Sequence, residues 1–317
     1  MLFQLPVSPL TKLEQHPGTG RGIRLYLKRD DLLHQEIDGS KARKLAALPD
    51  LVKAHYPEGI VTFGGAFSNH LHAVSVLGRL FNMPTRGILR GSYMDLDNPT
   101  LKDCSCNGMD LIPVPKTDYQ AGKQDNYAYW RARFPKAFLL PEGGNTQEAV
   151  VQCRSITEEI LTQLPEIDSK RRIVICCPAG TGCTAAGVAS GLLPERGETW
   201  IFPVSEDGLH LAAVRQLLPE SIGYTPDMRW IPDYIFGGFA KYNEEVVAFT
   251  RHFHQQYQVL PDPVYSSKML FGIFDLLKKD QFIEDTTVVV LMTGGRQGWR
   301  GFLHRYGNRK FVEAFRP

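Results

Sequence analysis

Short apolar runs alternate along the 317-residue chain with longer segments in which apolar residues recur at helical spacing. The runs are four to six residues long, which is the length of β-strands. Several of them are continuously apolar, a pattern typical of strands that are covered on both faces. The predicted strands are residues 59–63, 86–90, 137–140, 172–177, 200–204 and 287–292.

The segments between these strands carry apolar residues on one face of a helix. Four such faces consist of Leu45, Leu48, Leu51 and Val52; of Leu71, Val74, Val76 and Leu77; of Val150, Ile156, Ile160 and Leu164; and of Val246, Val247, Thr250, Phe253 and Tyr257. Alternating strands and helices predict an α/β fold with mainly parallel sheets. Residues 93–126 are polar and predict no regular element.

Composition and charge narrow the class of protein. Charged residues make up 22% of the chain and the formal net charge is +2, so we expect neither nucleic acid nor a membrane surface as a partner. The apolar runs are far shorter than the roughly 20 residues that span a bilayer. The N-terminal sequence has no basic segment and is broken by Pro6 and Pro9, so we expect no signal peptide.

The six cysteines show neither a C-x-x-C pair nor the spacing of a zinc site. Cys176 and Cys177 lie in an apolar run and are interpreted as small buried hydrophobic residues. Unpaired thiols indicate a reducing compartment, so we expect a cytoplasmic protein without a metal site.

The sequence GSKARKL at residues 39–45 places Lys41 after two small residues at a predicted helix start, with Lys44 one turn later. The helix dipole and the neighbouring cations disfavour an ammonium there, which predicts a lowered pKa for Lys41. A neutral amine attacks carbonyl groups and forms Schiff bases. On these residues alone, an ordinary solvated basic helix start is the alternative.

A loop rich in glycine and threonine, PAGTGCTAAG at residues 178–187, joins a predicted buried strand to a helix of small residues. Backbone N–H groups, hydroxyls and the helix dipole converge in such a loop, which predicts a phosphate cradle. The loop lacks the lysine of a P-loop, and its glycine spacing is not that of a dinucleotide-binding turn. The alternative is a tight strand-to-helix turn that needs glycine for packing.

The sequence FGGAFSNH at residues 63–70 also joins a strand to a helix. Ser68, Asn69 and His70 would project polar groups at the carboxyl end of a strand, where open α/β sheets bind ligands. Helix capping by Ser68 or Asn69 is the alternative. Two further stretches, DPVYSSK at residues 262–268 and TGG at residues 293–295, are weak signals on their own.

In this order, the five stretches resemble the pyridoxal-phosphate enzymes of the tryptophan-synthase-β type. They are most similar to the group of 1-aminocyclopropane-1-carboxylate (ACC) deaminase and D-cysteine desulfhydrase, from residue 28 to residue 295. The resemblance implies two open, twisted, mainly parallel sheets with helices on both faces, and pyridoxal 5'-phosphate (PLP) as cofactor. It also implies a homodimer, a large domain of residues 1–47 plus 146–317 and a smaller domain of residues 48–145.

The resemblance also implies roles for residues at matching positions. Lys41 matches the Schiff-base lysine, and Lys44 matches a lysine near the phosphate. The other implied cofactor contacts are Asn69 at the phenolic oxygen, the phosphate loop of Gly180, Thr181, Gly182, Cys183 and Thr184, Ser266 at the pyridine nitrogen, and Thr293. Ser68 and Tyr265 match catalytic residues, and the implied substrate contacts are Ser68, Asn69, His70 and Phe239.

Two positions distinguish the two members of this group, and a third departs from the pattern of the group. Ser266 stands where the deaminase has an acid, and His70 stands where it has a glutamine, so both favour the desulfhydrase. Phe239 stands at the position of a second active-site tyrosine, unless Tyr242 replaces that phenol. Loss of the phenol disfavours opening of a cyclopropane ring.

We therefore predict a PLP-dependent lyase whose substrate is a small amino acid. The predicted reaction is α,β-elimination of D-cysteine or a similar β-substituted amino acid to pyruvate, ammonia and, for cysteine, sulfide. Lys41 would remove the Cα proton, while the substrate carboxylate would meet Ser68, Asn69 and His70. The alternatives are ACC deaminase, a serine, threonine or diaminopropionate lyase of the same fold, and a PLP-binding regulatory protein with little turnover.

Overall fold

The computed structural model describes residues 5–37, 39–95, 97–206, 209–294 and 296–307. Its strands are β1 (Leu10–Leu13), β2 (Arg24–Lys28), β3 (Ile60–Gly64), β4 (Thr85–Arg90), β5 (Met109–Val114), β6 (Phe138–Leu140), β7 (Ile173–Ala179), β8 (Gly197–Pro203), β9 (Met228–Trp230) and β10 (Thr287–Leu291). Its helices are α1 (Ser40–Leu45), α2 (Leu48–His55), α3 (Asn69–Phe81), α4 (Pro99–Cys106), α5 (Lys116–Gln124), α6 (Ala128–Arg133), α7 (Gln147–Gln163), α8 (Glu166–Ser169), α9 (Cys183–Ala189), α10 (Leu211–Arg215), α11 (Glu244–Tyr257), α12 (Ser266–Lys278) and α13 (Arg296–Tyr306).

The strands form two open sheets. The larger sheet has the order β1-β2-β10-β7-β8-β9, and the smaller has the order β5-β4-β3-β6. All pairs are parallel except β1 with β2. In the larger sheet, Val289 of β10 pairs with Tyr26 of β2 on one side and with Ile175 of β7 on the other. The predicted α/β class with mainly parallel sheets is confirmed.

Apolar residues cover both faces of the larger sheet. Alternate residues of a strand point to opposite faces. Val174 and Cys176 of β7 pack with the core that includes α12, whereas Ile173, Ile175 and Cys177 pack with the core that includes α7 and α9. These continuous apolar runs therefore mark central strands, as the sequence predicted.

All six predicted strands are present, and four further strands were missed by the sequence pattern. β1 and β9 are short, and β2 contains charged residues at both ends. β5 lies in the segment 93–126, where no regular element was predicted. That prediction was wrong, because α4, β5 and α5 all lie there. A short edge strand that is interrupted by Asp110 and Pro113 gives only a weak periodic signal.

The first predicted helix face is also corrected. Leu45, Leu48 and Val52 are buried, but Leu51 is 37% exposed. The face is shared between two helices, since α1 ends at Leu45 and α2 begins at Leu48. Pro49 sits in the first turn of α2, where its missing N–H costs nothing; within one continuous helix it would remove a hydrogen bond.

The two sheets have separate sequence origins. The smaller sheet uses only strands between residues 60 and 140, and the larger sheet uses strands from both flanking segments. The division into domains at residues 48 and 145 stays a prediction. In the part of the chain that the structure describes, no helix combines the length and apolar character needed to cross a bilayer.

Candidate active site

The loop after β10 meets the start of α1. Gly39 has a φ of +55°, and a Cβ placed on it would lie 1.8 Å from the carbonyl oxygen of Thr293. Only glycine fits this close approach. The backbone N–H of Ser40 donates to the same Thr293 carbonyl at 3.3 Å, so α1 begins directly against this loop. Gly295 of the predicted TGG stretch lies outside the described residues.

Lys41 and Lys44 point from α1 to one backbone carbonyl. The Lys41 Nζ lies 3.1 Å and the Lys44 Nζ 3.4 Å from the oxygen of Gly143. Burial, and then the charge of Lys44, lower the pKa of Lys41 to about 7. The direction agrees with the sequence argument, but the largest cause is burial, which that argument did not include. Near neutral pH, Lys41 therefore carries a partly neutral amine.

The loop after β7 lies against Gly143 and Gly144. Gly182 has a φ of +84° and precedes the first residue of α9. A Cβ on Gly143 would lie 2.6 Å from the Thr181 methyl, and the Cys183 thiol lies 3.8 Å from the oxygen of Gly144. The Thr184 hydroxyl donates to Ser40 at 3.3 Å. The predicted phosphate loop and the lysine helix are thus neighbours.

The pKa of the Cys183 thiol indicates a positive electrostatic potential at this loop. A hydrogen bond from Cys153, followed by the charges of Lys44 and Lys41, lowers the pKa of the Cys183 thiol. Charges that favour a thiolate also favour any other anion at the same place. A phosphate bound here would meet two lysines and the backbone N–H groups at the start of α9.

The start of α3 brings the third predicted stretch to the lysines. Ser68 caps α3 and accepts a hydrogen bond from the Leu71 N–H at 3.3 Å, so capping accounts for part of this stretch. Asn69 and His70 are the first two helical residues. His70 is buried, and its Nε2 lies 2.8 Å from the Thr62 hydroxyl. Burial, and then the charges of Lys41 and Lys44, hold the pKa of His70 well below its usual value.

The turn before α12 places Tyr265 beside the phosphate loop. A Cβ on Gly180 would lie 3.2 Å from the Tyr265 hydroxyl. The buried Asp262 carboxylate fixes this turn by accepting hydrogen bonds from the N–H groups of Val264, Tyr265 and Ser266 at 2.7–3.0 Å. Burial, and then the charges of Asp262 and Glu142, raise the pKa of Tyr265, which keeps the phenol protonated.

Phe239 lies next to Tyr265, and Tyr242 does not. The rings of Phe239 and Tyr265 meet edge to face with their centroids 6.0 Å apart, and Phe239 is 45% exposed. Tyr242 packs instead against Phe302 and Tyr306, at 6.1 and 4.7 Å between ring centroids. Tyr242 therefore does not supply a phenol in the place of Phe239.

Three residues of the site were missed in the sequence, namely Gly143, Gly144 and Thr62. Gly143 supplies the carbonyl that both lysines contact. Gly144 lets the His70 ring come close to the backbone, since a Cβ on Gly144 would lie 3.3 Å from that ring. Gly143 and Gly144 form a double glycine after a predicted strand, the same signal that marked residues 64–65. Thr62 gave no signal, because a threonine inside a strand is ordinary.

Residues 3–294 match the family described as pyridoxal-phosphate dependent enzymes. The chain belongs to this family of PLP-dependent enzymes. It is 26% identical over 301 residues to the bifunctional D-cysteine desulfhydrase/ACC deaminase of Arabidopsis thaliana, a match that covers 89% of this chain and 75% of the relative. It is 24% identical over 305 residues to a D-cysteine desulfhydrase of Salmonella paratyphi A, covering 92% of this chain and 91% of the relative.

Solved structures agree on the fold. The crystal structure of an ACC deaminase homologue superposes with a TM-score of 0.78 at 24% identity and covers 99% of this chain and 95% of that one. A PLP-dependent aspartate racemase superposes with a TM-score of 0.66 at 13% identity and covers 92% and 91%. The predicted tryptophan synthase β-like fold is confirmed, as are the predicted family and cofactor.

The residues present fit the cofactor. Several side-chain atoms of the described residues are buried without a hydrogen-bond partner, and three of them lie near this site, namely His70 Nδ1, Asn145 Oδ1 and Ser266 Oγ. All three belong to segments that meet around Lys41. A buried polar atom without a partner is costly, so a polar ligand at this place would relieve it. Of the three, the Ser266 hydroxyl has a hydrogen that the pyridine nitrogen of PLP could accept, and the phosphate of PLP matches the charges of Lys41 and Lys44.

Proposed function

We propose that the chain is a PLP-dependent lyase that removes the β-substituent of a small amino acid, with D-cysteine or a close analogue as substrate. With one water, D-cysteine would yield pyruvate, ammonia and sulfide. The observation that carries the proposal is the Lys41 amine, whose pKa is lowered to about 7, beside a loop suited to phosphate. Such an amine is both a covalent anchor for an aldehyde and a base.

Lys41 would anchor the cofactor covalently. Lys44 and the loop from Gly180 to Thr184 would hold its phosphate. Asn69 would meet the phenolic oxygen, Ser266 the pyridine nitrogen, and Thr293 would line the ring. When bound, PLP supplies the electron sink that makes the substrate Cα proton acidic.

The chain's own groups would then handle the substrate and its protons. The substrate carboxylate would lie at the start of α3, where the Ser68 hydroxyl, the Asn69 amide and free backbone N–H groups offer hydrogen bonds. The Lys41 Nζ, neutral after its release, would take the Cα proton as general base. The Tyr265 phenol, kept protonated by burial, would donate a hydrogen bond to the substrate or a proton to the leaving group.

Two residues support elimination over opening of a cyclopropane ring. The Phe239 ring packs edge to face with Tyr265 at the position of the second phenol, and Tyr242 packs elsewhere. Ser266 offers a hydroxyl, which does not keep a pyridine nitrogen protonated as a carboxylate would. Assembly as a homodimer stays a prediction from the resemblance.

The test is a keto-acid assay of the PLP-loaded protein with D- and L-amino acids and with ACC. We expect pyruvate and sulfide from D-cysteine, no α-ketobutyrate from ACC, and no product from Lys41→Ala. Release of α-ketobutyrate from ACC would support the deaminase instead. A protein that binds PLP but releases keto acid from no substrate would support a regulatory role.

The variant Phe239→Tyr sharpens this assay. If the missing phenol is what prevents ring opening, the variant gains α-ketobutyrate release from ACC and keeps its activity on D-cysteine. The matched control is Phe236→Tyr in the same loop, whose ring packs against Phe271 with centroids 5.3 Å apart, away from Tyr265. An equal response of both variants would rule out the role of Phe239.

A further inference from the structure

A chain of short contacts runs from the smaller sheet to the lysines. The Thr62 hydroxyl on β3 lies 2.8 Å from the carbonyl oxygen of Leu140 on β6 and 2.8 Å from the His70 Nε2. Thr62 and His70 are both buried. The other ring nitrogen, Nδ1, is also buried and has no partner among the described residues.

Counting hydrogens fixes the direction of these bonds. A carbonyl oxygen only accepts, and a threonine hydroxyl has one hydrogen to donate. The Thr62 hydrogen therefore points to Leu140, and its oxygen is left to accept from His70. The proton of a neutral His70 thus lies on Nε2, and Nδ1 carries a lone pair.

The lysine charges favour the same tautomer. Lys41 and Lys44 are the charged groups that act on the His70 ring, and both disfavour its protonation. A lone pair on Nδ1 is attracted by these cations, whereas an N–H at the same place would be repelled. Two independent arguments, one from hydrogen count and one from charge, therefore give one answer.

The Lys44 side chain lies close to this lone pair. A Cβ on Gly144 would lie 3.6 Å from the His70 Nδ1 and 3.8 Å from the Lys44 Cδ, so both side chains line the same bare face of Gly144. The hydrogen bond from Lys44 to Gly143 is 3.4 Å long, and an ammonium has three N–H donors. A modest rotation of the Lys44 side chain would give Nδ1 a partner.

We propose that Thr62 is a positioning residue that fixes His70 as its Nε2–H tautomer, so that Nδ1 accepts a hydrogen bond from the Lys44 ammonium. His70 would then orient the proposed phosphate-binding lysine and would offer no ring N–H to a substrate carboxylate. That part of the inference rests on the proposed function and changes the predicted role of His70. The tautomer itself does not rest on it.

Nitrogen-15 NMR of histidine-labelled full-length protein tests the tautomer, with and without PLP. The His70 signals are assigned with His70→Gln. We expect a neutral Nε2–H ring from pH 6 to pH 9 in the wild type and in Thr62→Ser, which keeps the hydroxyl. In Thr62→Val the ring loses its acceptor, and we expect the Nε2–H to Nδ1–H ratio to fall about fivefold or more.

Each outcome decides one part of the proposal. An Nδ1–H or doubly protonated ring in the wild type overturns the tautomer, even if Thr62→Val fails to fold. An unchanged tautomer ratio in a folded Thr62→Val overturns the role of Thr62. In Lys44→Met, an unchanged Nδ1 shift overturns the bond from Lys44.

A separate experiment tests whether His70 donates a hydrogen bond to the substrate carboxylate. D-alanine, which has no leaving group, is titrated into the PLP-loaded protein, and we expect Nδ1 to stay unprotonated at saturation. Protonation of Nδ1 on binding would overturn our assignment and return His70 to the carboxylate. Failure of D-alanine to perturb the PLP absorption would count against the proposed function and leave the measured tautomer standing.

Discussion

At the scale of residues, the chemistry depends on how the chain lowers the pKa of one amine. Lys41 is half-buried, and Lys44, its neighbour on the same face of α1, carries a like charge towards the same Gly143 carbonyl. Burial first and the charge of Lys44 second bring the pKa of Lys41 to about 7. An exposed lysine would hold its proton at every physiological pH.

Capture of PLP by the PLP-free protein should therefore follow the neutral form of Lys41. A lowered pKa means that the neutral fraction grows as the pH rises through about 7. We expect the rate of the visible absorbance change to rise with pH, with a midpoint at about 7. Lys44→Met removes a like charge and should move the midpoint upward, while the exposed Lys53→Met should leave it in place. A midpoint near that of an exposed lysine in the wild type would contradict this explanation.

At the scale of elements, α1 is held by the face opposite its lysines. Arg43 lies two positions from Lys41, so the two side chains leave the helix on opposite sides. The Arg43 guanidinium contacts Asp30 at 2.8 Å and Glu159 at 2.7 Å. Lys28, fully buried, contacts the same Glu159 at 2.6 Å. This network ties α1 to α7 and to the end of β2.

Arg43→Met should destabilise the protein strongly. Asp30 is fully buried, so removal of its cation leaves a charge without compensation, at a cost of about 3–5 kcal/mol. Urea unfolding of the PLP-free protein measures the loss. The control is Lys170→Met, which breaks the exposed pair with Glu166 and should cost no more than about 1 kcal/mol. Similar losses for both variants would refute a special role for the buried network.

A buried ammonium holds the loop that carries Phe239. The Lys268 Nζ on α12 donates to the carbonyl oxygens of Ile235 at 2.8 Å and Gly238 at 2.7 Å. Phe236 and Ala240 in this loop have φ angles of +52° and +53°, which non-glycine residues seldom adopt. The tether thus holds a strained backbone next to Tyr265.

Lys268→Met should release this loop without unfolding the protein. Two hydrogen bonds from a charged group are worth a few kcal/mol, so amide exchange in residues 235–240 should speed up about tenfold or more. Hydrogen-exchange mass spectrometry measures this rate. Lys278→Met, at an exposed position of the same helix, is the matched control. Equal exchange in wild type and Lys268→Met would show that the tether is not needed.

At the scale of the whole molecule, the sequence predicted what is local. Around Gly64 and Ser68, and again around Gly180, a strand, a glycine loop and a helix start follow one another directly in the sequence. The turn chemistry of these segments can therefore be recognised without the structure. Sheet order is not local, since β10 lies between β2 and β7, far from both in sequence. The shared Gly143 carbonyl and the Arg43 network also join distant segments. The residues that these contacts join can be identified only in the folded structure.

PLP should stabilise the folded chain, because the proposed site draws on both sheet regions and on α1. A ligand at 100 times its dissociation constant adds about 2.7 kcal/mol, which for a chain of 317 residues corresponds to a rise in the unfolding temperature of roughly 4 °C. Thermal unfolding with and without PLP measures the rise. The rise should shrink in Lys41→Ala, and a full rise in that variant would count against anchoring at Lys41.

The central claim is that Lys41 is the covalent anchor of PLP. Borohydride reduction of the PLP-loaded protein, followed by proteolysis and mass spectrometry, tests it most directly. We expect the added pyridoxyl mass on the peptide that contains Lys41, with fragment ions that assign it to that residue. The added mass on Lys44, on Lys268 or on no lysine would contradict the claim.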